Sequence, residues 1–227
     1  MLITRKREMK KVLKNVSFVI SLLNMCIFFG QEMTAQKRIV IDVGHGGKDS
    51  GTIGINGIKE KDVVLNIGLE ILRLNKKSET PLNMYLIRYS DTLISLSDRT
   101  ELAKALNADL FISLHCNHSH NPTVRGIEVY IDTNESRNSK ESTWFAYQLQ
   151  NKIKKHLGFE SRGVKLANFQ VLRETINYFP SVLVELGFLS NGDESSYYQR
   201  PESYQVLALV IWESLIRKYK SYERVGE

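Results

Sequence analysis

The chain has 227 residues, 42% hydrophobic and 25% charged, a composition typical of one globular domain with a sizeable core. Six basic and two acidic residues precede position 36, so the N-terminal segment carries +4 of the formal net charge of +6 and the remainder only +2. That remainder has no basic stripe with interleaved aromatic residues, and we therefore predict no nucleic-acid partner.

The N-terminal segment is typical of an export signal. A basic run precedes the apolar stretch Phe18–Phe29, which has the length of a signal-peptide core and is short for a membrane span. Small residues at Thr34 and Ala35 indicate cleavage after Ala35. We predict a signal peptide at residues 1–35, with an uncleaved anchor as the alternative, and a mature domain at residues 36–227. The mature chain would be exported to the periplasm or cell envelope and would have no stable membrane span.

The first half of the remaining chain alternates strands and helices. The first strand ends in the glycine-rich turn at residues 44–47, where unusual backbone angles and close approach of a ligand are possible. Apolar residues at helical spacing follow from residue 60. The predicted elements are strands at Arg38–Asp42 and Asn83–Arg88, a helix at Glu60–Leu74, and a helix capped by Ser97 or Asp98 that ends near Asn107.

The second half continues the alternation, which predicts a three-layer α/β domain with its active site at strand ends. Its SVLVE segment is continuously apolar until the glutamate, as expected of a strand covered on both faces. The predicted strands are Asp109–His115, Gly126–Ile131, Gln170–Leu172 and Ser181–Glu185, and the predicted helices are Glu141–His156 and Glu202–Tyr219.

Four residues that can bind a metal or a proton stand at these strand ends or helix starts. His45 follows the first strand, and His115 and Glu185 each end a later one. Glu60 opens a helix, where the helix dipole favours its ionised form. Two imidazoles and one carboxylate are a common ligand set of catalytic zinc, which lowers the pKa of a bound water to about 7. A second carboxylate could then carry the proton of that water.

Taken one at a time, these residues also have ordinary structural interpretations. Their spacing lacks a local signature such as HExxH, and the turn at Gly44–Gly47 matches no phosphate-binding loop. Glu60 could be a first-turn helix acid, and His115 a hydrogen-bonded core histidine. Glu185 is harder to explain as a structural residue, because a carboxylate after a buried run requires a partner.

Longer segments are more specific than the single residues. The segments IDVGHGGKDSG, GIKEKD, LSDRTELAKALNADLFISLHCN and PSVLVELGFLSN, in this order, closely resemble the zinc-dependent N-acetylmuramoyl-L-alanine amidase family over roughly residues 37–219. The resemblance implies an α/β domain with a mixed central sheet flanked by helices, and one zinc ion per chain. It places the zinc ligands at His45, Glu60 and His115 and the catalytic glutamate at Glu185. Lys104 and Cys116 depart from the residues commonest in the family.

The resemblance also implies the reaction. It is hydrolysis of the amide between the lactyl group of N-acetylmuramic acid and L-alanine, with peptidoglycan or a muropeptide as substrate. Two alternatives remain open: a zinc peptidase or deacetylase acting on another cell-wall amide, and a non-catalytic wall-binding module of the same fold. Some relatives cover the zinc with a long helical insertion, but here the link after Ile131 is short and polar. An activator protein is therefore possible but not required.

Weaker candidates lie outside this quartet. Asn117, Arg162 and Lys165 are predicted to contact substrate, with ordinary surface charge as the alternative for the two basic residues. Cys116 should point away from the zinc, because neighbouring side chains on a strand face opposite ways. The last predictions assign His118 and His120 to a loop, and Trp144 and Phe145 to the core side of a helix.

Overall fold

A single six-stranded sheet with helices on both faces forms the centre of the molecule. The computed structural model describes residues 36–223, with side chains as far as Tyr219, so the predicted signal peptide lies outside the described residues. The strands are β1 (Arg38–Val43), β2 (Asn83–Leu86), β3 (Leu110–Asn117), β4 (Ile127–Ile131), β5 (Ser161–Leu166) and β6 (Ser181–Phe188). The helices are α1 (Glu60–Lys76), α2 (Leu96–Ala105), α3 (Ser139–Leu157), α4 (Gln170–Arg173), α5 (Gly192–Tyr197) and α6 (Pro201–Glu223).

The sheet is mixed, with strand order β2-β1-β3-β6-β4-β5. Strands β2, β1, β3 and β6 are parallel, β4 pairs antiparallel with β6, and β5 pairs parallel with β4. The carboxyl ends of β1, β3 and β6 therefore lie at the same edge as the amino end of β4. The predicted three-layer α/β fold with a mixed sheet is confirmed.

The two faces of the sheet are covered differently. Helices α1, α3 and α6 bury one face, and Cys116 lies in that core, pointing away from the candidate site as predicted. The opposite face is apolar only near the amino ends of the parallel strands, where Val40, Phe111 and Leu183 pack under α2 and α4. Alternate residues of a strand share a face, and further along these strands the residues on this face are polar. The candidate site lies on this polar part.

Two sequence-based predictions about elements are wrong. The predicted strand at Gln170–Leu172 is the one-turn helix α4, and the strand is instead β5, at Ser161–Leu166. Strand β5 is an edge strand that buries little and carries two charged residues, so its sequence lacks an apolar alternation. Helix α2 is capped by Ser95, whose Oγ accepts from the amide of Asp98 at 3.1 Å.

Of the two adjacent aromatic residues on α3, one is buried and the other is exposed to solvent. Phe145 is buried as predicted, but the prediction for Trp144 is wrong, since it is 59% exposed and stacks on the exposed ring of Tyr147. Adjacent helix positions lie about 100° apart around the axis, so both cannot face the sheet. Within the described residues, no helix is both long and apolar enough to cross a bilayer.

Candidate metal centre

Three donor groups converge where the sheet edge meets the start of α1. His45 follows β1, Glu60 is the first residue of α1, and His115 lies near the end of β3. His45 Nε2 and His115 Nδ1 lie 3.0 and 2.9 Å from the same oxygen, Oε1 of Glu60. One donor atom from each residue lies within 4.8 Å of the others. The structure therefore brings together the three residues that the sequence suggested as zinc ligands.

Glycines make this close approach possible. A methyl group on Gly44 would lie 2.3 Å from Cε1 of His115, and one on Gly51 would lie 2.5 Å from Oε2 of Glu60. Contacts that short do not occur between real carbon atoms and their neighbours, so a side chain at either position would displace a donor. His45 itself has φ 58°, a left-handed conformation that is unfavourable for a residue with a Cβ.

Two buried arginines hold the loop that carries His45. Arg99 pairs with the buried Asp42 at 2.5 Å and donates to the carbonyl of His45 at 2.7 Å. Arg88 donates to the carbonyls of Gly44 and of Lys61, both at 2.8 Å, and so links the end of β1 to the start of α1. The strained turn is thus fixed by charge-assisted hydrogen bonds that are shielded from water.

Further hydrogen bonds orient the donor side chains. Asp49 accepts from Nδ1 of His45 at 2.8 Å, which leaves Nε2 of that ring directed at Glu60. The Glu60 carboxylate accepts the backbone amides of Thr52 at 2.8 Å and Cys116 at 2.9 Å. Burial alone would raise the pKa of Glu60, but its bonds with the two histidines outweigh burial and hold the pKa below its usual range. The carboxylate is therefore ionised.

Glu185 stands beside the three donors. It lies on β6 directly opposite His115 in the parallel register of β3 and β6. Its Oε2 is buried and has no hydrogen-bond partner among the described residues. Burial raises the pKa of Glu185 to about 7, and the charge of His115 only partly opposes the shift. A buried, unsatisfied carboxyl oxygen is costly, which favours a functional interpretation of this residue.

The donor set fits a divalent zinc ion. Zinc prefers imidazole nitrogen and carboxylate oxygen in a tetrahedral arrangement and, in catalytic sites, leaves one position for water or substrate. Two imidazoles and one ionised carboxylate supply three ligands, and Glu185 adds an unpartnered oxygen at the side of the same group. Asp49 lies 2.8 Å from Nδ1 of His45, so a proton on that nitrogen would leave Nε2 available as a ligand.

Comparison with known proteins assigns the chain to a family. A family profile described as N-acetylmuramoyl-L-alanine amidase matches residues 39–217. The chain belongs to the N-acetylmuramoyl-L-alanine amidase family. The amidase LytC of Bacillus subtilis is 38% identical over 186 residues, covering 81% of this chain and 36% of LytC. The chain therefore spans about a third of the length of that relative.

Solved amidase structures share the fold. The catalytic domain of CwlV from Paenibacillus polymyxa superposes with a TM-score of 0.72 at 33% identity, covering 82% of this chain and 98% of the CwlV domain. An amidase from Clostridium difficile superposes with a TM-score of 0.76 at 30% identity, covering 83% and 99% of the two chains. Both superpositions extend over nearly the whole of the solved domain.

A cluster that the sequence did not predict lies next to Glu185 in this amidase domain. Glu128 of β4 is opposite Glu185 in the antiparallel register and is 3% exposed. The three predicted substrate residues all converge on it: Arg162 Nε at 2.7 Å, Lys165 Nζ at 2.5 Å and Asn117 Nδ2 at 2.9 Å. The hydroxyl of Tyr130 donates to it as well, at 2.6 Å. Glu128 alternates along β4 with the core residues Ile127, Val129 and Ile131, a pattern that is typical of a solvent-facing acid, so no signal for this cluster was present in the sequence.

The remaining histidine candidates lie outside the metal centre. His118 and His120 are exposed on the loop that follows β3, with their rings 5.6 Å apart, which confirms the predicted loop assignment. Neither belongs to the group formed by His45, Glu60 and His115.

Proposed function

We propose that this chain is a zinc-dependent amidase that hydrolyses the amide between N-acetylmuramic acid and the first L-alanine of the peptidoglycan stem peptide. The observation that carries the proposal is the convergence of His45, Glu60 and His115 on one point, with Glu185 beside them in register. Family membership and similarity to solved amidase domains over most of the chain support it.

The ligands proposed for the metal are Nε2 of His45, the Glu60 carboxylate and Nδ1 of His115. A zinc ion held by these three residues would supply polarisation of the scissile carbonyl and hydroxide near neutral pH. Asp49 keeps the proton of His45 on Nδ1, so that Nε2 presents its lone pair to the centre. Glu60 stays in position through the backbone amides of Thr52 and Cys116.

Glu185 is the proposed proton carrier. Its unpartnered Oε2 is the proton acceptor available next to the three donors, so it takes a proton from the attacking water. The same carboxyl then returns the proton to the departing amine of L-alanine, because an amine leaves more readily than its anion. The buried surroundings of Oε2 keep bulk water from competing for that proton.

Digestion of purified peptidoglycan and of a soluble muropeptide tests this function. With zinc, mass spectrometry should show free stem peptides that begin with L-alanine and glycan that keeps its lactyl groups. A chelator should abolish the products and added zinc should restore them. New peptide termini elsewhere would indicate a zinc peptidase, and loss of acetyl groups a deacetylase. Zinc binding without any product would indicate a wall-binding module.

We also propose that the chain is exported and that residues 1–35 are removed. A peptidoglycan substrate lies outside the cytoplasm, and the N-terminal sequence has the charge and apolar pattern of a signal. Mass measurement of the protein recovered from the cell envelope should give a chain that begins at Gln36. A mass that includes Met1 or the apolar stretch would show a retained anchor instead.

A further inference from the structure

The Glu128 cluster contains two cationic side chains but only one carboxylate. Arg162 and Lys165 share the single carboxylate of Glu128, whose side chain is 4% exposed, so the three groups together carry one net positive charge. Their own side chains are 36% and 37% exposed, which leaves both cations accessible to a ligand. A purely structural ion pair would require only one of them.

Arg162 keeps its most selective donors unused. The only hydrogen bond of its side chain within the described residues is from Nε to Glu128, and its guanidinium lies 5.4 Å from the ring centroid of Phe188. The two terminal nitrogens are therefore left for a ligand. A guanidinium fixed in this way presents a planar fork, which matches a carboxylate through two parallel hydrogen bonds. Lys165 likewise uses one of its three ammonium donors on Glu128.

The cluster lies close enough to Glu185 for one stem peptide to contact both. Glu128 is the direct neighbour of Glu185 across the β4–β6 pair, and Lys165 is opposite Tyr130, two positions further along β4 on the same face. Neighbouring strands are about 4.8 Å apart, and an extended peptide advances about 3.4 Å per residue. A substrate cleaved beside Glu185 would thus bring its second or third peptide residue to Arg162 and Lys165.

We propose that Arg162 and Lys165 form a subsite for a free carboxylate of the stem peptide, and that Glu128 is the residue that positions them. The inference rests on the proposed amidase function and names a substrate class for it: stem peptides with a free carboxylate are cleaved in preference to their carboxamides. Asn117 and Tyr130 act through Glu128, since their donors hold its second oxygen.

The test uses the zinc-loaded full chain and three N-acetylmuramoyl peptides. One has free carboxylates on its second and its last residue, and each of the others has one of these converted to a carboxamide. A charge-assisted hydrogen bond between Arg162 and the carboxylate would stabilise the bound substrate. Converting that carboxylate to a carboxamide should therefore lower kcat/KM about 10-fold or more, mainly by raising KM. The carboxamide that is cleaved more slowly shows whether the subsite binds the carboxylate of the second or of the last peptide residue.

The variants separate recognition from folding. In Arg162→Ala and Lys165→Ala, the ratio of kcat/KM between the carboxylate and carboxamide substrates should fall toward 1, whereas a general loss of structure would lower both rates together. Arg162→Lys should keep part of the preference and serves if the alanine variant does not fold. Arg137→Ala, in the link after β4, removes the same charge from an exposed position and should leave the ratio unchanged.

Binding gives a second measurement. The Glu185→Gln chain should bind the preferred carboxylate substrate with a lower Kd than its carboxamide, and Arg162→Ala in that background should remove the difference. Equal kcat/KM on all three substrates, with cleavage at the lactyl amide, would overturn the subsite and leave the amidase function standing. Failure of the zinc-loaded chain to cleave any of them would overturn both.

Discussion

At the scale of single residues, the candidate centre depends on one buried carboxylate that both imidazoles share. Oε1 of Glu60 lies within 3.0 Å of nitrogens from His45 and His115 and also accepts the amide of Cys116. Its second oxygen accepts the amide of Thr52. The fold therefore holds the Glu60 carboxylate in place and brings the three donor groups within 4.8 Å of one another.

We predict that His45→Ala, Glu60→Ala and His115→Ala each lose zinc. Removing one of three protein ligands leaves an incomplete set that water fills with lower affinity. Elemental analysis of the purified variants measures the occupancy, and the exposed His156→Ala serves as a control that should retain zinc. Full occupancy in any of the three variants would remove that residue from the ligand set.

Substitution of Glu185 should affect turnover but not zinc binding, since we propose that Glu185 carries the proton and does not bind the metal. Glu185→Gln keeps the shape of the side chain but cannot accept a proton, so turnover should fall by about 10² or more while zinc is retained. Muropeptide assays with parallel metal analysis measure both quantities. A variant with near-normal turnover would contradict the general-base role.

Gly44 gives a test of the close approach at the centre. In Gly44→Ala the added methyl group has to displace the His115 ring, which lies 2.3 Å from its position. We expect at least about tenfold weaker zinc binding in a chain that still folds, the range typical when the orientation of a ligand is disturbed. Titration with a zinc chelator measures the affinity. Gly192→Ala is the control, because Gly192 likewise has no positive φ and an added methyl group there would lie 3.4 Å from Cδ1 of Ile55, an ordinary contact.

At the scale of elements, the strand β1, its turn and helix α1 act as one unit because Arg88 and Arg99 hold their carbonyls. The pair of Arg99 with Asp42 is buried on both sides, with side chains 3% and 1% exposed. Ser113 of β3 donates to the other oxygen of Asp42 at 2.7 Å, so the pair also links β1 to its neighbour.

Arg99→Met should therefore be strongly destabilising. It leaves the charge of Asp42 buried without its partner, which typically costs about 3–5 kcal/mol. Denaturant unfolding measures the change. Lys104→Met on the same helix removes the surface pair with Glu101, whose side chain is 70% exposed, and the cation–π contact with the exposed ring of Tyr178, and should cost about 1 kcal/mol. Similar losses in the two variants would show that the Asp42 pair is not buried in solution.

At the scale of the whole molecule, the link after β4 and the loop before β6 lie away from the metal centre. Strand β4 runs antiparallel, so the link that follows it leaves from the opposite edge of the sheet. Ser136 and Asn138 of this link both donate to the carbonyl of Ile176, in the loop that precedes β6. That loop also lies at the amino end of β6, away from Glu185.

We therefore predict basal activity on a soluble muropeptide without a partner protein. The purified chain from Gln36 onward, loaded with zinc, should cleave it, and the rate should not increase when an extract of the cell envelope is added. Activity that arises only after a partner is added would contradict an open site.

Much of this arrangement follows from sequence, because the relevant segments have strong local patterns. The helical spacing of α1 placed Glu60 at a helix start, and the apolar run of β6 placed Glu185 on that strand, although β6 continues to Phe188, beyond the predicted end at Glu185. Glycines at positions 44, 46 and 47 marked the turn that carries His45. The family segments added the ligand roles, which stay predictions until metal is measured.

Other features were decided by tertiary structure, since they depend on residues far apart in sequence. Strand β5 has no apolar alternation and is a strand only because it pairs with the edge of β4. The Glu128 cluster joins groups from β3, β4 and β5, and no local pattern indicates that four donors meet on one acid. The sequence determined which chemistry the chain can perform. The fold decided which side chains share a charge, because strand register places them next to each other.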